Sequence, residues 1–217
     1  MVQQFIVEGK DGYVLSALCE KGGLGMPLGY TKRSYKDFVV NAGGIANITE
    51  AIRTTLEDED VTNIGVVVDA NDVGFASRYV GIAGAIKEIF PQLTPNIESS
   101  RQGWTRELKP GLTFGLWVMP DNSSPGYLEH FLTRLIEPTD ESLRLAKKFF
   151  SETKSSEAVR FTQVKDQKAL LSLFLAIQEE PGMNAQTAIK KGLLKHDHPL
   201  AQNFLAWFAA TFQLQVR

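Results

Sequence analysis

Carboxylates stand at or just beyond the ends of three of the four strongest apolar runs in this chain. Glu8 follows Phe5-Ile6-Val7, Asp69 closes Asn63-Ile64-Gly65-Val66-Val67-Val68, and Asp121 comes two residues after Met119. Short apolar runs bounded by turn residues read as buried strands, and open parallel sheets bind ligands at the carboxyl ends of their strands. Carboxylates that converge there repel one another until a proton or a cation neutralises them. A divalent cation does so most simply, and Mg²⁺ takes hard oxygen ligands while keeping several waters. Each residue also has a plainer reading. Glu8 suits the start of the helix that begins near Asp11, Asp69 suits a turn, and Asp121 suits the cap of the following helix.

The elements that would position these groups alternate strand and helix. Strands are expected over residues 4–9, 37–41, 63–69 and 112–119, with 103–108 as a possible hairpin partner of the last. Helical spacing marks residues 11–20, 47–56, 76–90 and 125–135. Residues 63–69 are apolar on consecutive positions, as in a central parallel strand covered on both faces. The alternation predicts right-handed crossovers and an α/β fold with a mainly parallel four-stranded sheet flanked by helices. From residue 139 the pattern is all helical (141–151, 166–178, 200–212), so the expectation is an α/β domain over 1–138 and a helical extension over 139–217 packed on it.

Composition fits a globular chain of 217 residues, 43% hydrophobic and 22% charged, and excludes collagen-like, disordered and coiled-coil classes. The single cysteine, Cys19, rules out an internal disulfide and Cys-rich zinc sites, and it reads as a packed small hydrophobe. A reducing, cytoplasmic compartment without membrane contact is expected. Residues 1–100 carry 13 acidic and 8 basic side chains, whereas 144–217 carry 6 and 11. An acidic front with a basic back suits a metal site beside a polyanion surface, or simply solvated helix faces. Arg101, Trp104, Arg106 and Lys109 form a basic-aromatic segment of the kind that stacks on bases and contacts phosphates, or a surface hairpin. The glycine-rich stretch 22–29 lacks the spacing of a phosphate loop and reads as a turn, and His196-Asp197-His198 before Pro199 suits helix capping. The aromatic residues of the last 75 positions read as core or as an interface with another chain, so an oligomer is compatible with the sequence.

Two of the runs carry a family resemblance. Phe5-Ile6-Val7-Glu8-Gly9-Lys10-Asp11 resembles the first motif of Toprim domains, and Val66-Val67-Val68-Asp69-Ala70-Asn71-Asp72 resembles the second, an apolar strand ending in Asp-x-Asp. The order of elements over residues 1–136 is similar to that fold. The tail, with Glu179-Glu180-Pro181-Gly182 and Phe204-Leu205-Ala206-Trp207-Phe208, resembles an uncharacterised bacterial Toprim-related family with likeness to OLD-type nucleases. The resemblance implies a nuclease or phosphodiesterase acting on DNA or RNA with Mg²⁺ or Mn²⁺. Glu8 would serve as acid/base, and Asp69, Asn71 and Asp72 would stand at the metal, with Asp11, Asp121 and Glu129 as further ligands. It also implies a separate ATPase subunit as partner, since OLD-type relatives fuse one. The chain departs from the motif at Asn71. On an extended strand i and i+2 share a face, so an amide would stand where the second carboxylate belongs and weaken cation binding. A degenerate module that binds nucleic acid or a partner ATPase, and a small-molecule phosphate-transferring enzyme, are the alternative readings.

Overall fold

The computed structural model describes residues 2–9, 11–25, 35–92 and 101–215. Its α/β core is a five-stranded sheet in the order β2-β1-β3-β5-β4. The strands are β1 (Val2–Val7), β2 (Val39–Asn41), β3 (Val61–Asp69), β4 (Trp104–Lys109) and β5 (Leu112–Met119). All neighbours pair in parallel except the hairpin β4–β5. The chain leaves β1 through α1 (Gly12–Lys21) and the short α2 (Tyr35–Phe38) to reach β2 on one side. It then crosses back through α3 (Ile48–Leu56) to β3 on the other side. That reversal makes the gap between the carboxyl ends of β1 and β3 the topological switch point, where open α/β sheets hold their ligands.

Strand parity divides the interior in two. Ile6, Val66, Val68, Leu116 and Val118 face α3 and α4 (Gly74–Ile89), against Ile52, Tyr79, Ile82 and Ile86. Phe5, Val7, Val67, Trp117 and Met119 face the other way. That second face is covered by α1, by α5 (Leu128–Arg134) and by the C-terminal helices α6 (Glu141–Thr153), α7 (Asp166–Ala176), α8 (Ala185–Lys191) and α9 (Pro199–Phe212). Phe204, Trp207, Phe208 and Phe212 of α9 lie in one cluster with Phe5, Phe38 and Trp117. Each such fully buried aromatic is worth about 1.5–3 kcal/mol of transfer free energy. The helical tail is therefore half of the core and not an appendage.

Glycines make the room for α9. Gly65 and Gly115 are register partners on β3 and β5. A Cβ at Gly65 would stand 2.7 Å from the Phe212 ring, and one at Gly115 would stand 2.1 Å from the Thr211 hydroxyl. Gly22 and Gly103 make the same allowance for Leu205 and Trp207, at 2.4 and 2.3 Å. Buried polar bonds fix the helix end: the Asn63 amide donates to the Thr211 carbonyl at 2.8 Å, and Gln3 donates to Asn63 at 2.9 Å and to the Phe212 carbonyl at 3.3 Å.

The sheet has five strands where four are expected, because the hairpin partner pairs fully and adds an antiparallel edge. Strand β1 begins at Val2 and ends at Val7, so Glu8 lies just past it. Residues 26–29 of the glycine-rich stretch, and Lys10 of the first motif, lie outside the described residues. His198 caps α9, its Nδ1 accepting the Leu200 amide at 3.2 Å, as expected of the His-Asp-His triplet. Cys19 is a buried, packed thiol whose pKa burial pushes far up, which leaves it inert. Among the described residues no helix is long and apolar enough to cross a membrane. Gly115→Ala should lower the urea midpoint by the equivalent of about 1–3 kcal/mol through overpacking against Thr211. Adding Thr211→Ala should restore part of that loss, as chemical denaturation of the single and double variants will measure.

Candidate active site

Asp69 is the last residue of β3, and its side chain, by parity with Val67, points to the α5 face. Its Oδ1 accepts the backbone amide of Leu128 at 3.1 Å, and its own amide donates to Glu8 Oε2 at 3.2 Å. The Glu8 carboxylate, leaving the end of β1, is thus set against Asp69 across the switch point. Asp11 occupies the N-cap position of α1, yet its side chain makes no capping bond to the helix. A capping carboxylate is ordinarily worth about 1 kcal/mol. Here that contribution is forgone, and the carboxylate belongs to the same electrostatic group as Asp69. Glu129, in the first turn of α5, completes the set.

The charges of these four groups are coupled. Burial first, then the negative charges of Asp11, Glu8 and Glu129, push the Asp69 carboxyl up to about 8, against the pull of the Leu128 amide. Burial, then Glu129 and Glu8, raise Asp11 to about 6, and Lys168 of α7 opposes the rise. The Lys168 ammonium lies 3.9 Å from Glu129 Oε1 and reaches the group from the C-terminal helices. The charges of Glu8 and Glu129 reach Asp69 and Asp11, but the four carboxylates are not drawn into a ligand shell. Among the described residues no three His, Cys, Asp or Glu side chains are placed to hold a metal ion as they stand.

The turn after β3 determines how Glu129 arrives. Asn71 has a left-handed backbone (φ 50°), a conformation that asparagine tolerates better than most residues. It forms a two-way bridge with Gly126: Asn71 N–H donates to the Gly126 carbonyl at 2.7 Å and receives Gly126 N–H at 3.1 Å. Gly126 is itself required by its φ of 132° and by His130, whose ring would lie 2.9 Å from a Cβ there. The bridge carries the segment 126–129 over the end of β3. The strand stops at Asp69, so the i, i+2 parity that puts Asn71 on the face of Asp69 does not hold. Asn71 acts through its backbone, and Asp72 is exposed.

The remaining sequence candidates stand apart. Asp121 locks its own loop, accepting bonds from the Ser123 amide (3.0 Å), the Ser124 amide (2.7 Å) and the hydroxyls of both serines, and pairing with Arg134. Burial raises its pKa, but the Ser124 amide, Arg134 and the serine hydroxyls outweigh that and hold it down at about 2. A carboxylate so fully engaged is a loop anchor and not a free ligand.

Trp104 is buried, 3% exposed, edge-on to Tyr79 and Phe114, with its carbonyl accepting the Trp207 indole N–H at 3.2 Å. No face of the ring is open to a base, which corrects its expected stacking role. The ring joins Tyr79, Leu108 and Phe114 in the core beneath α4, while Arg106 of the same strand is exposed. Arg106 and Lys109 pair with Phe114 and Leu112, well down β5 from Met119, the register partner of Asp69. At roughly 3.3 Å per residue they lie some 15–25 Å below the rim. Arg101, exposed before β4, is at the rim end of that strand.

Two cations at the rim are not among the sequence candidates. One is Lys168, and the other is Arg78 of α4, whose Nε–H donates to the Asp69 carbonyl at 3.0 Å. No curated protein and no solved structure matches this chain. Residues 2–213, nearly its whole length, match the family described as "Protein of unknown function (DUF3226)", and the chain belongs to that family.

Proposed function

We propose that the protein is a Toprim-type phosphodiesterase or nuclease that uses Mg²⁺ or Mn²⁺ at the rim between β1 and β3. The observation that carries this reading is the gathering of Asp69, Glu8, Asp11 and Glu129 at the switch point of the sheet, with the Asp69 amide bonded to Glu8 and the Asp69 carboxyl bonded to the start of the helix that carries Glu129. A fold keeps so much unneutralised acid in one place at a cost in stability, and a bound cation removes that cost. The donor set fits the group. All four are hard carboxylate oxygens, the set suited to Mg²⁺ and Mn²⁺. Asp69, Asp11 and Glu129 would hold the cation, which when bound polarises phosphoryl oxygens and lowers the pKa of a coordinated water.

Glu8 is the acid/base in this reading. Its Oε2 is oriented by the Asp69 amide, so Oε1 is the oxygen that would take or give a proton at the substrate. Lys168 neutralises part of the acid through Glu129 while the site lacks a cation. The substrate class is nucleic acid. The contacts for it are at the rim, with Arg101, and not on the buried Trp104.

Cleavage of single-stranded DNA or RNA in Mn²⁺ or Mg²⁺ is the direct test. Glu8→Gln and Asp69→Asn should each lower the rate about 100-fold or more, and chelation should abolish it. Nucleic-acid binding that survives both changes, with no cleavage by the wild type, would favour a non-catalytic module. Turnover of nucleotides without polymer cleavage would favour a small-molecule enzyme.

A pH experiment tests the acid group independently of substrate. Asp69 has a folded pKa above its unfolded value near 4, so the folded state holds the extra proton. Its contribution is therefore intact below pH 4 and is lost as pH rises toward 8, at up to about 1.4 kcal/mol per pH unit. Asp69→Asn should raise the melting temperature at pH 8 and leave it little changed at pH 4. Millimolar Mn²⁺ should stabilise the wild type at pH 8 and the variant much less, as scanning calorimetry will show.

A further inference from the structure

Arg78 is the group at this rim that the carboxylates do not explain. It lies in the second turn of α4, half-buried, where the helix dipole disfavours a cation. Among the described residues it forms no ion pair, although the neighbouring acid is short of positive charge. Its Nε–H is committed to the Asp69 carbonyl at 3.0 Å, and no acceptor among the described residues takes the terminal nitrogens of the fork. Strand parity explains why it stays off the carboxylates. The Asp69 side chain turns to the α5 face, while α4 brings Arg78 to the opposite face of the same strand end. A molecule lying across the rim would meet carboxylates on one side of β3 and a guanidinium on the other.

We propose that Arg78 is the anion receptor of this site, binding two phosphoryl oxygens of a phosphate-ester substrate with its terminal nitrogens. This rests on the reading of the β1–β3 rim as a phosphoester site. Asp69 then orients both halves: its carboxylate faces the acid group, and its carbonyl aims the guanidinium. A fork held by Nε presents its two terminal nitrogens in one plane, the geometry that matches a phosphate bidentately. A lysine supplies the charge without the fork.

Inorganic phosphate is the probe, titrated calorimetrically into the full chain with saturating Mn²⁺, alongside Mn²⁺ titrations of the apo-protein. The wild type should bind phosphate, Arg78→Gln should weaken it about tenfold or more, and Arg78→Lys should fall between. Mn²⁺ affinity should not drop in either variant. Phosphate affinity equal in Arg78→Gln and wild type, or no phosphate binding by the wild type, overturns the proposal. So does a parallel loss of Mn²⁺ affinity and melting temperature in both variants, which marks Arg78 as a brace for the strand end alone. Arg78-dependent phosphate binding by a wild type that takes up no Mn²⁺ would support the receptor while removing the cation reading beneath it.

Discussion

Mutual repulsion among half-buried acids is the constraint around which the rim of this sheet is arranged. Asp69, Asp11, Glu8 and Glu129 come from a strand end, a helix start, a second strand end and a second helix, and each is held by backbone geometry beyond its own control. The Leu128 amide fixes Asp69, the Asp69 amide fixes Glu8, and the Asn71–Gly126 bridge fixes the segment that carries Glu129. None of these bonds neutralises a full charge. Hydrogen bonds are thus used to keep like charges together, the reverse of their usual service to stability. The loop that follows β5, at the same end of the sheet, shows the contrast. Asp121 there is satisfied by two serines and Arg134, and its pKa goes down where that of Asp69 goes up.

Much of this arrangement was legible in the sequence, and the failures have definite causes. The strand ends at Glu8 and Asp69 could be read because continuous apolar runs mark central parallel strands, and fold topology alone then brings them to one rim. Asn71 was misplaced because parity was carried two residues past the end of a strand that gives way to a left-handed turn. Trp104 was misplaced because a basic-aromatic segment looks like a nucleic-acid surface until tertiary packing against Tyr79, Leu108 and Phe114 takes its aromatic into the core. Arg78 and Lys168 left no signal. One acts on a backbone carbonyl, and the other reaches the site from a helix whose docking depends on tertiary packing.

The helical tail also proved closer to the site than its composition suggests. A boundary near residue 138 separates patterns of secondary structure, but the core runs across it, from Phe5 to Phe212. Lys168 on α7 shows that the tail contributes charge to the rim as well as apolar cover to the sheet. Lys168 is the basic residue of the tail that pairs with an acid of the rim, while Arg144, Lys148, Lys154 and Lys191 pair with other acids of the molecule's exposed surface.

The facing glycines on β3 and β5 have a consequence for biosynthesis. They leave a bare furrow across the middle of the sheet that only Thr211 and Phe212 fill. That strip of β3 and β5 therefore stays uncovered during synthesis until α9 has been made and has docked.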